Sequence, residues 1–136
     1  MGALLRIPLE VIQRRMLAAL HEHGFGDLGP AHLPVLRYPG PEGKRPVELA
    51  AETNMSKQAM NYLLGQLEEL GYLERRRDPG DGRSTRIQLT ARGDATRGVI
   101  RGAVRDVEAE WAGELGTADL EQLRNLLTRL TKVLAS

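Results

Sequence analysis

The chain has 136 residues, enough for one domain that buries roughly two-thirds of its unfolded surface, so a core forms without metals or crosslinks. It has no cysteine, which excludes disulfide staples, thiolate metal sites and thiol redox sensing. The formal net charge of +1 hides an uneven distribution: nine arginines stand against four acids between Tyr72 and Arg105, and six acids against three basic residues from Asp106 onward. That asymmetry points to an anionic partner on one face.

The opening "MGALLRIPLEVI" is apolar but short, and Arg6 and Pro8 interrupt it. Neither a signal segment nor a membrane span fits, and Arg6 stands where a myristoylation pattern wants Ser or Thr, so a cytoplasmic location is expected. A first helix is expected from about Pro8 to His23, with Leu9, Ile12, Met16 and Leu20 on one stripe. "GFGDLG" breaks it. A short second helix follows from Pro30 to about Tyr38, kinked or stopped early by Pro34, and "PGPEGKRP" is loop.

Val47, Leu49 and Ala50 begin a third helix, Thr53-Asn54 makes a turn, and Ser56 is placed to cap a fourth. That helix carries Met60, Leu63, Leu64, Leu67 and Leu70 on its apolar stripe and ends at Gly71. Two short helices joined by a tight turn form a helix-turn-helix. The period then changes. Thr85, Ile87 and Leu89 alternate with Arg86 and Gln88, residues 72 to 77 are expected to pair with them, and Asp78 to Ser84 form the tip of the hairpin. Thr90 caps a long helix with Ile100, Ala103, Val104, Val107 and Trp111 on one face, and Gly116-Thr117 opens the last helix. Leu120, Leu123, Leu127, Leu130 and Leu134 repeat there at three- and four-residue steps, as a coiled-coil seam does.

A helix-turn-helix followed at once by a basic hairpin is a winged helix. The expected fold is therefore mainly α with a small β-hairpin wing, flanked by N- and C-terminal dimerisation helices. Residues 1–30 form the first dimerisation segment, 31–95 the winged helix-turn-helix DNA-binding region, and 96–136 the C-terminal dimerisation helices, all in one structural domain. The fourth helix presents Lys57, Gln58, Asn61, Tyr62, Gly65 and Gln66 opposite its leucines. These groups suit base edges and phosphates in a major groove wide enough for a helix. Arg75, Arg76, Arg77 and Arg86 line the hairpin arms, where they neutralise phosphates. Arg83 is expected at the tip, where it enters the narrow minor groove while Asp81 holds its guanidinium. Leu9, Ile12 and Met16, with the leucines at 120, 123, 127, 130 and 134, are expected to form a homodimer interface, with intramolecular core as the other reading. Two recognition helices spaced about one DNA turn, roughly 34 Å, require two copies.

Other classes fit less well. There is no glycine-rich phosphate loop, nucleophile elbow or metal pair, so no enzyme and no cofactor is expected. His21, His23 and His32, beside Glu10, Glu22 or Glu42, make a weak metal set because His-x-His on a helix faces two directions. Arg97, Arg101 and Arg105 read as ordinary surface, with Asp94 and Glu108 as their partners. The alternative function is a winged-helix protein-interaction module that does not bind DNA.

From about His32 to Gly93 the chain resembles the MarR family of transcriptional regulators. "HLPVL" and "ELAAETNMSKQAMNYLLGQLEELGYLERRRDPGDGRSTRIQLTARG" carry the likeness. Its most specific part is Asp81-x-Arg83, followed by Leu89-Thr90-x-x-Gly93. Gly82 departs from a position that is often basic and Gly65 from one that is often acidic. The resemblance implies a homodimeric repressor, less often an activator, released from palindromic double-stranded DNA by a small-molecule effector. It also implies that Ser56, Lys57, Gln58, Asn61 and Tyr62 contact DNA and that Arg83 enters the minor groove. Phe25 and Trp111 are read either as core or as the lining of a cavity between the first, second and fifth helices, where the family holds its ligands.

Overall fold

The computed structural model describes residues 1–37, 43–78 and 80–135, apart from the side chains of Asp78, Asp81 and Arg83. In chain order it contains α1 (Gly2–Glu22), a 3₁₀ turn (Pro30–His32), α2 (Leu33–Arg37), α3 (Pro46–Thr53), α4 (Lys57–Glu69), β1 (Leu73–Asp78), β2 (Asp81–Leu89), α5 (Ala91–Leu115) and α6 (Thr117–Ala135). The mainly helical class with one antiparallel hairpin agrees with the sequence reading.

Three expectations about the elements need correction. α1 begins at Gly2, not Pro8, so Pro8 lies inside the helix. A proline there removes one backbone donor but leaves the first turns intact, because the turn before it closes through the Leu5 amide to Met1 O at 3.1 Å. The expected second helix is split: Pro30 and Pro34 each sit in the first turn of its own short helix, where no N–H is needed. Its end at Tyr38 and most of "PGPEG" lie outside the described residues. The hairpin arms also run nearer the tip than expected. The ladder pairs Leu73 with Leu89, Arg75 with Ile87 and Arg77 with Thr85, then shifts register and closes on Asp78 and Asp81. Arg83 thus falls in β2, in the irregular stretch beside the tip. Thr85, expected on the half-buried side, is exposed.

The helix-turn-helix is built from two left-handed stops and one side-chain cap. Asn54 ends α3 at φ 56°, with the Met55 amide reaching back to Ala50 O at 2.9 Å. Ser56 Oγ then accepts from the Ala59 amide at 3.0 Å and starts α4. At the far end Gly71 has φ 86°, and the Tyr72 amide donates to Leu67 O at 2.9 Å, a hydrogen-bonded glycine stop that leaves few carbonyls unpaired.

One core joins all of this. Met60, Leu63, Leu64 and Leu67 of α4 pack with Leu33, Val35, Leu36 and Leu49 from the preceding helices. The base of the wing contributes Tyr72, Leu73 and Ile87, α1 contributes Met16 and Leu20, and α5 contributes Ile100 and Ala103. Two helix-sized layers therefore share a single interior. Arg15 ties α1 to α5 through a forked pair with Glu110 at 2.7 and 3.0 Å.

The motif ending at Gly93 has a steric cause. The Thr90 amide donates to Tyr72 O at 3.0 Å while Thr90 Oγ1 accepts from the Gly93 amide at 3.1 Å and caps α5. A Cβ on Gly93 would lie 2.1 Å from that same Tyr72 carbonyl oxygen. Glycine is the residue that lets α5 start flush against the chain just after α4.

Candidate nucleic-acid interface

Capping by Ser56 fixes the start of α4, and burial of its leucines fixes its rotation. Together they turn Ser56, Lys57, Gln58, Asn61 and Tyr62 to solvent. A Cβ at Gly65 would meet nothing within 4 Å, so the same face has open space there. Gln66 is placed differently from its neighbours. It is half-buried, accepting from His32 Nε2 at 3.1 Å and donating to Tyr62 Oη at 3.2 Å.

Paired residues of an antiparallel hairpin share a face, so the register sorts the wing arginines. Arg75 and Arg77 lie on the side of Leu73 and Ile87, toward α4, where Arg75 Nε donates to Glu68 at 3.2 Å. Arg76 and Arg86 stand opposite one another on the other face. Two like charges in direct register repel. Glu74 offsets this by accepting from Arg76 at 2.8 Å, and Gly43 O by accepting from Arg86 at 3.2 Å. The four arm arginines therefore form two pairs rather than one continuous patch. The side chains of Asp81 and Arg83 are outside the described residues.

Between the wing and α4 lies a cleft of about 390 Å³ lined by Arg45, Lys57, Asn61, Arg75, Ser84 and Thr85 among others. Arg45 was missed by the sequence reading because it sits just before α3 and distant in sequence from the wing. The pairing of Lys44 with Ile87 brings it there, through bonds of 3.0 and 2.6 Å. Arginine, lysine and amide groups around one groove carry the charge and donors that an anionic backbone would pair with.

A second cluster supports this surface from behind. Tyr72 is buried, its ring 5.9 Å from Phe25, and the Arg92 guanidinium lies 4.3 Å from its centroid. The hydroxyl donates to Asp27 at 2.5 Å, and Arg92 binds both Asp27 Oδ2 at 3.2 Å and the Leu70 carbonyl at the end of α4. Burial, then the bond to Asp27, pushes the tyrosine up to about 12. The donated hydroxyl, with Arg92 beside it, holds the Asp27 carboxyl below the usual range. Nothing local in the sequence links these three residues, which lie up to 65 positions apart.

The residues expected at a dimer interface and in a ligand cavity are spread over several places. Leu123 and Leu127 are each 40% exposed, Leu130 47% and Leu134 74%, with Leu120 half-buried, so α6 keeps its apolar seam outward. Leu9 is exposed and Ile12 half-buried. Met16 must be corrected: at 2% exposure it belongs to this chain's own core and has no surface to offer a partner. Phe25 and Trp111 are not brought to one cavity either. Phe25 packs on Tyr72, whereas Trp111 lines a separate cleft of about 510 Å³ with Ile12, Leu120, Leu123 and Leu127, between α1, α5 and α6. Glu108 pairs with Arg124 of α6 at 3.1 Å, not with the arginine row of α5, because α6 folds back across it. His21 and His23 each bond a backbone carbonyl, at 2.7 and 2.8 Å. Among the described residues no helix is long and apolar enough to cross a membrane.

Comparison with known proteins agrees with this geometry. A model of the MarR family matches residues 26–84. The HTH-type transcriptional repressor Rv2887 of Mycobacterium tuberculosis is 32% identical over 88 residues, which are 65% of this chain and 63% of that protein. A crystal structure of Rv2887 with salicylic acid is 30% identical, with a TM-score of 0.69 over 96% of this chain and 95% of the other. Apo MarR from E. coli (23% identical, TM-score 0.75, 96% and 95% covered) shares the fold. So does a MarR regulator from Methanosarcina mazei Go1 (19%, TM-score 0.79, 96% and 93%). A capped α4, a paired basic wing, an exposed leucine helix and structural similarity to Rv2887 over nearly all of this chain converge on one conclusion: this chain belongs to the MarR family of transcriptional regulators.

Proposed function

We propose that the protein is a sequence-specific double-stranded DNA-binding transcriptional regulator, acting as a homodimeric repressor at a palindromic site. One observation carries the reading. Lys57, Gln58, Asn61 and Tyr62 stand exposed on a helix whose groove with the wing is lined by Arg45, Lys57 and Arg75. Side chains able to read base edges thus lie beside cations able to hold phosphates, the division of labour that DNA readout needs. In this reading residues 31–95 bind DNA, while 1–30 and 96–136 join two copies through Leu9, Ile12, Leu120, Leu123, Leu127, Leu130 and Leu134. Arg83 reaches the minor groove from beside the wing tip, with Asp81 as its partner.

An effector that releases DNA completes the proposal. Rv2887 has been crystallised with salicylic and p-aminosalicylic acids, which supports a small aromatic acid. The apolar cleft at Trp111, with Arg124 on its lining, has the chemistry to take one.

The test is selection of bound duplexes from genomic fragments, followed by titration at several salt concentrations. An inverted repeat with half-sites about one turn apart is expected, with affinity falling steeply as salt rises. Arg83→Ala should lose about 1–3 kcal/mol on that site. If no fragment is retained even at low salt, the reading fails.

A further inference from the structure

A directed chain of hydrogen bonds runs from the 3₁₀ turn to the exposed face of the recognition helix. The Gly29 amide donates to His32 Nδ1 at 2.9 Å, so that nitrogen carries no proton. The ring proton therefore sits on Nε2, which donates to Gln66 Oε1 at 3.1 Å. With its oxygen turned to the imidazole, the Gln66 amide presents its nitrogen to Tyr62 Oη at 3.2 Å. The phenol oxygen is then an acceptor inside the protein, which leaves its own proton to be donated to an outside partner. Tyr62 is 68% exposed, one helical step along the row from Gln58. The far end of the chain is anchored, since Leu33, directly after His32, is part of the core.

We infer that His32 and Gln66 are positioning residues that present the Tyr62 hydroxyl as a hydrogen-bond donor to an acceptor on bound duplex DNA. The inference rests on the DNA-binding reading above. A solvated tyrosine on a helix surface has a free hydroxyl rotor and must lose that freedom on binding. Here the rotor is already set by Gln66, and a hydroxyl that accepts one bond is polarised to donate the next. The acceptor is either a phosphate oxygen or a base edge carrying N7, O6 or O4.

The experiment uses the full chain, a duplex enriched by the wild type from a random-sequence pool, and a shuffled duplex of the same length. Tyr62→Phe should weaken binding to the enriched duplex about three- to tenfold, as should His32→Ala and Gln66→Ala. In the Tyr62→Phe background neither second substitution should weaken binding further. Losses that instead multiply would overturn the relay. His32→Ala also strips Gly29 of its acceptor, so if its melting temperature drops, the Gln66→Ala arm of the cycle decides. A Tyr62→Phe loss equal on both duplexes assigns the hydroxyl to phosphate, and one confined to the enriched duplex assigns it to a base edge. Either result supports the inference. A wild type that enriches no duplex overturns the DNA-binding reading and the relay with it. A wild type that binds while the losses multiply overturns the relay alone.

Discussion

Lys57 and Tyr72 define two kinds of residue in this molecule, one exposed at the start of α4 and one buried behind it. Lys57 opens the recognition helix and shares a cleft with Arg45 and Arg75. Lys57→Ala should weaken binding by a similar factor on every duplex and lower the slope of log affinity against log salt by about 1, read by fluorescence anisotropy. Asn61→Ala should instead relax preference at one base position in a selection experiment. Tyr72 acts inside. Its pKa is raised to about 12, above the ordinary value of 10.0, so the stability it contributes is present below pH 10 and lost as pH climbs toward 12. The Asp27 carboxyl is shifted down, so its contribution holds above the ordinary carboxylate range and is lost on acidification through the folded pKa. Tyr72→Phe should therefore flatten both flanks of a plot of melting temperature against pH, relative to wild type. Unchanged flanks would mean that the Tyr72–Asp27 bond contributes nothing.

At the scale of elements, most boundaries follow from local chemistry. Ser56, Gly71, Thr90 and Gly116 each sit at the helix end where the sequence places them, because caps and left-handed stops depend on a few neighbouring atoms. Ser56→Ala should cost about 1 kcal/mol, measured by urea denaturation. The steeper case is Gly93→Ala. Its added methyl would collide with the Tyr72 carbonyl at 2.1 Å, a backbone oxygen already bonded to Thr90. The variant should lose about 3 kcal/mol in the same denaturation series. Spacing alone marks Leu89-Thr90-x-x-Gly93 as a pattern, but the contact between α5 and Tyr72 supplies its reason. Where the reading missed, the missing information was not local. Pro8 looks like a helix start until the turn preceding it forms, and Arg83 looks like a tip residue until the strands pair past it.

For the whole molecule, the uncovered leucines of α6 decide the outcome. An apolar seam whose leucines from Leu123 to Leu134 are 40% to 74% exposed is unfavourable in water and favours a second copy. Leu127→Glu should place a charge on that seam and yield a particle of half the mass by light scattering. Operator affinity should fall by on the order of 10²–10⁴, because each recognition helix would then bind without the effective concentration supplied by its partner. A dimer of unchanged mass would place the interface elsewhere. The cleft at Trp111 shares Leu120, Leu123 and Leu127 with the seam. Under the proposed dimer, an effector bound there would touch the joining surface, a direct physical route to release from DNA.

Hydrophobic period, capping residues and turn chemistry are local quantities, and they determined the helices, the hairpin, the winged helix-turn-helix order and the outward row from Ser56 to Tyr62. The tertiary structure decided what depends on distance in space. It drew Met16 into the core, separated Phe25 from Trp111, and divided the wing arginines between two faces. It also brought Arg45 to the wing, Asp27 to Tyr72, and His32 to Gln66. Each of these joins residues tens of positions apart, where no periodicity operates and only packing of the whole chain fixes which side chains meet.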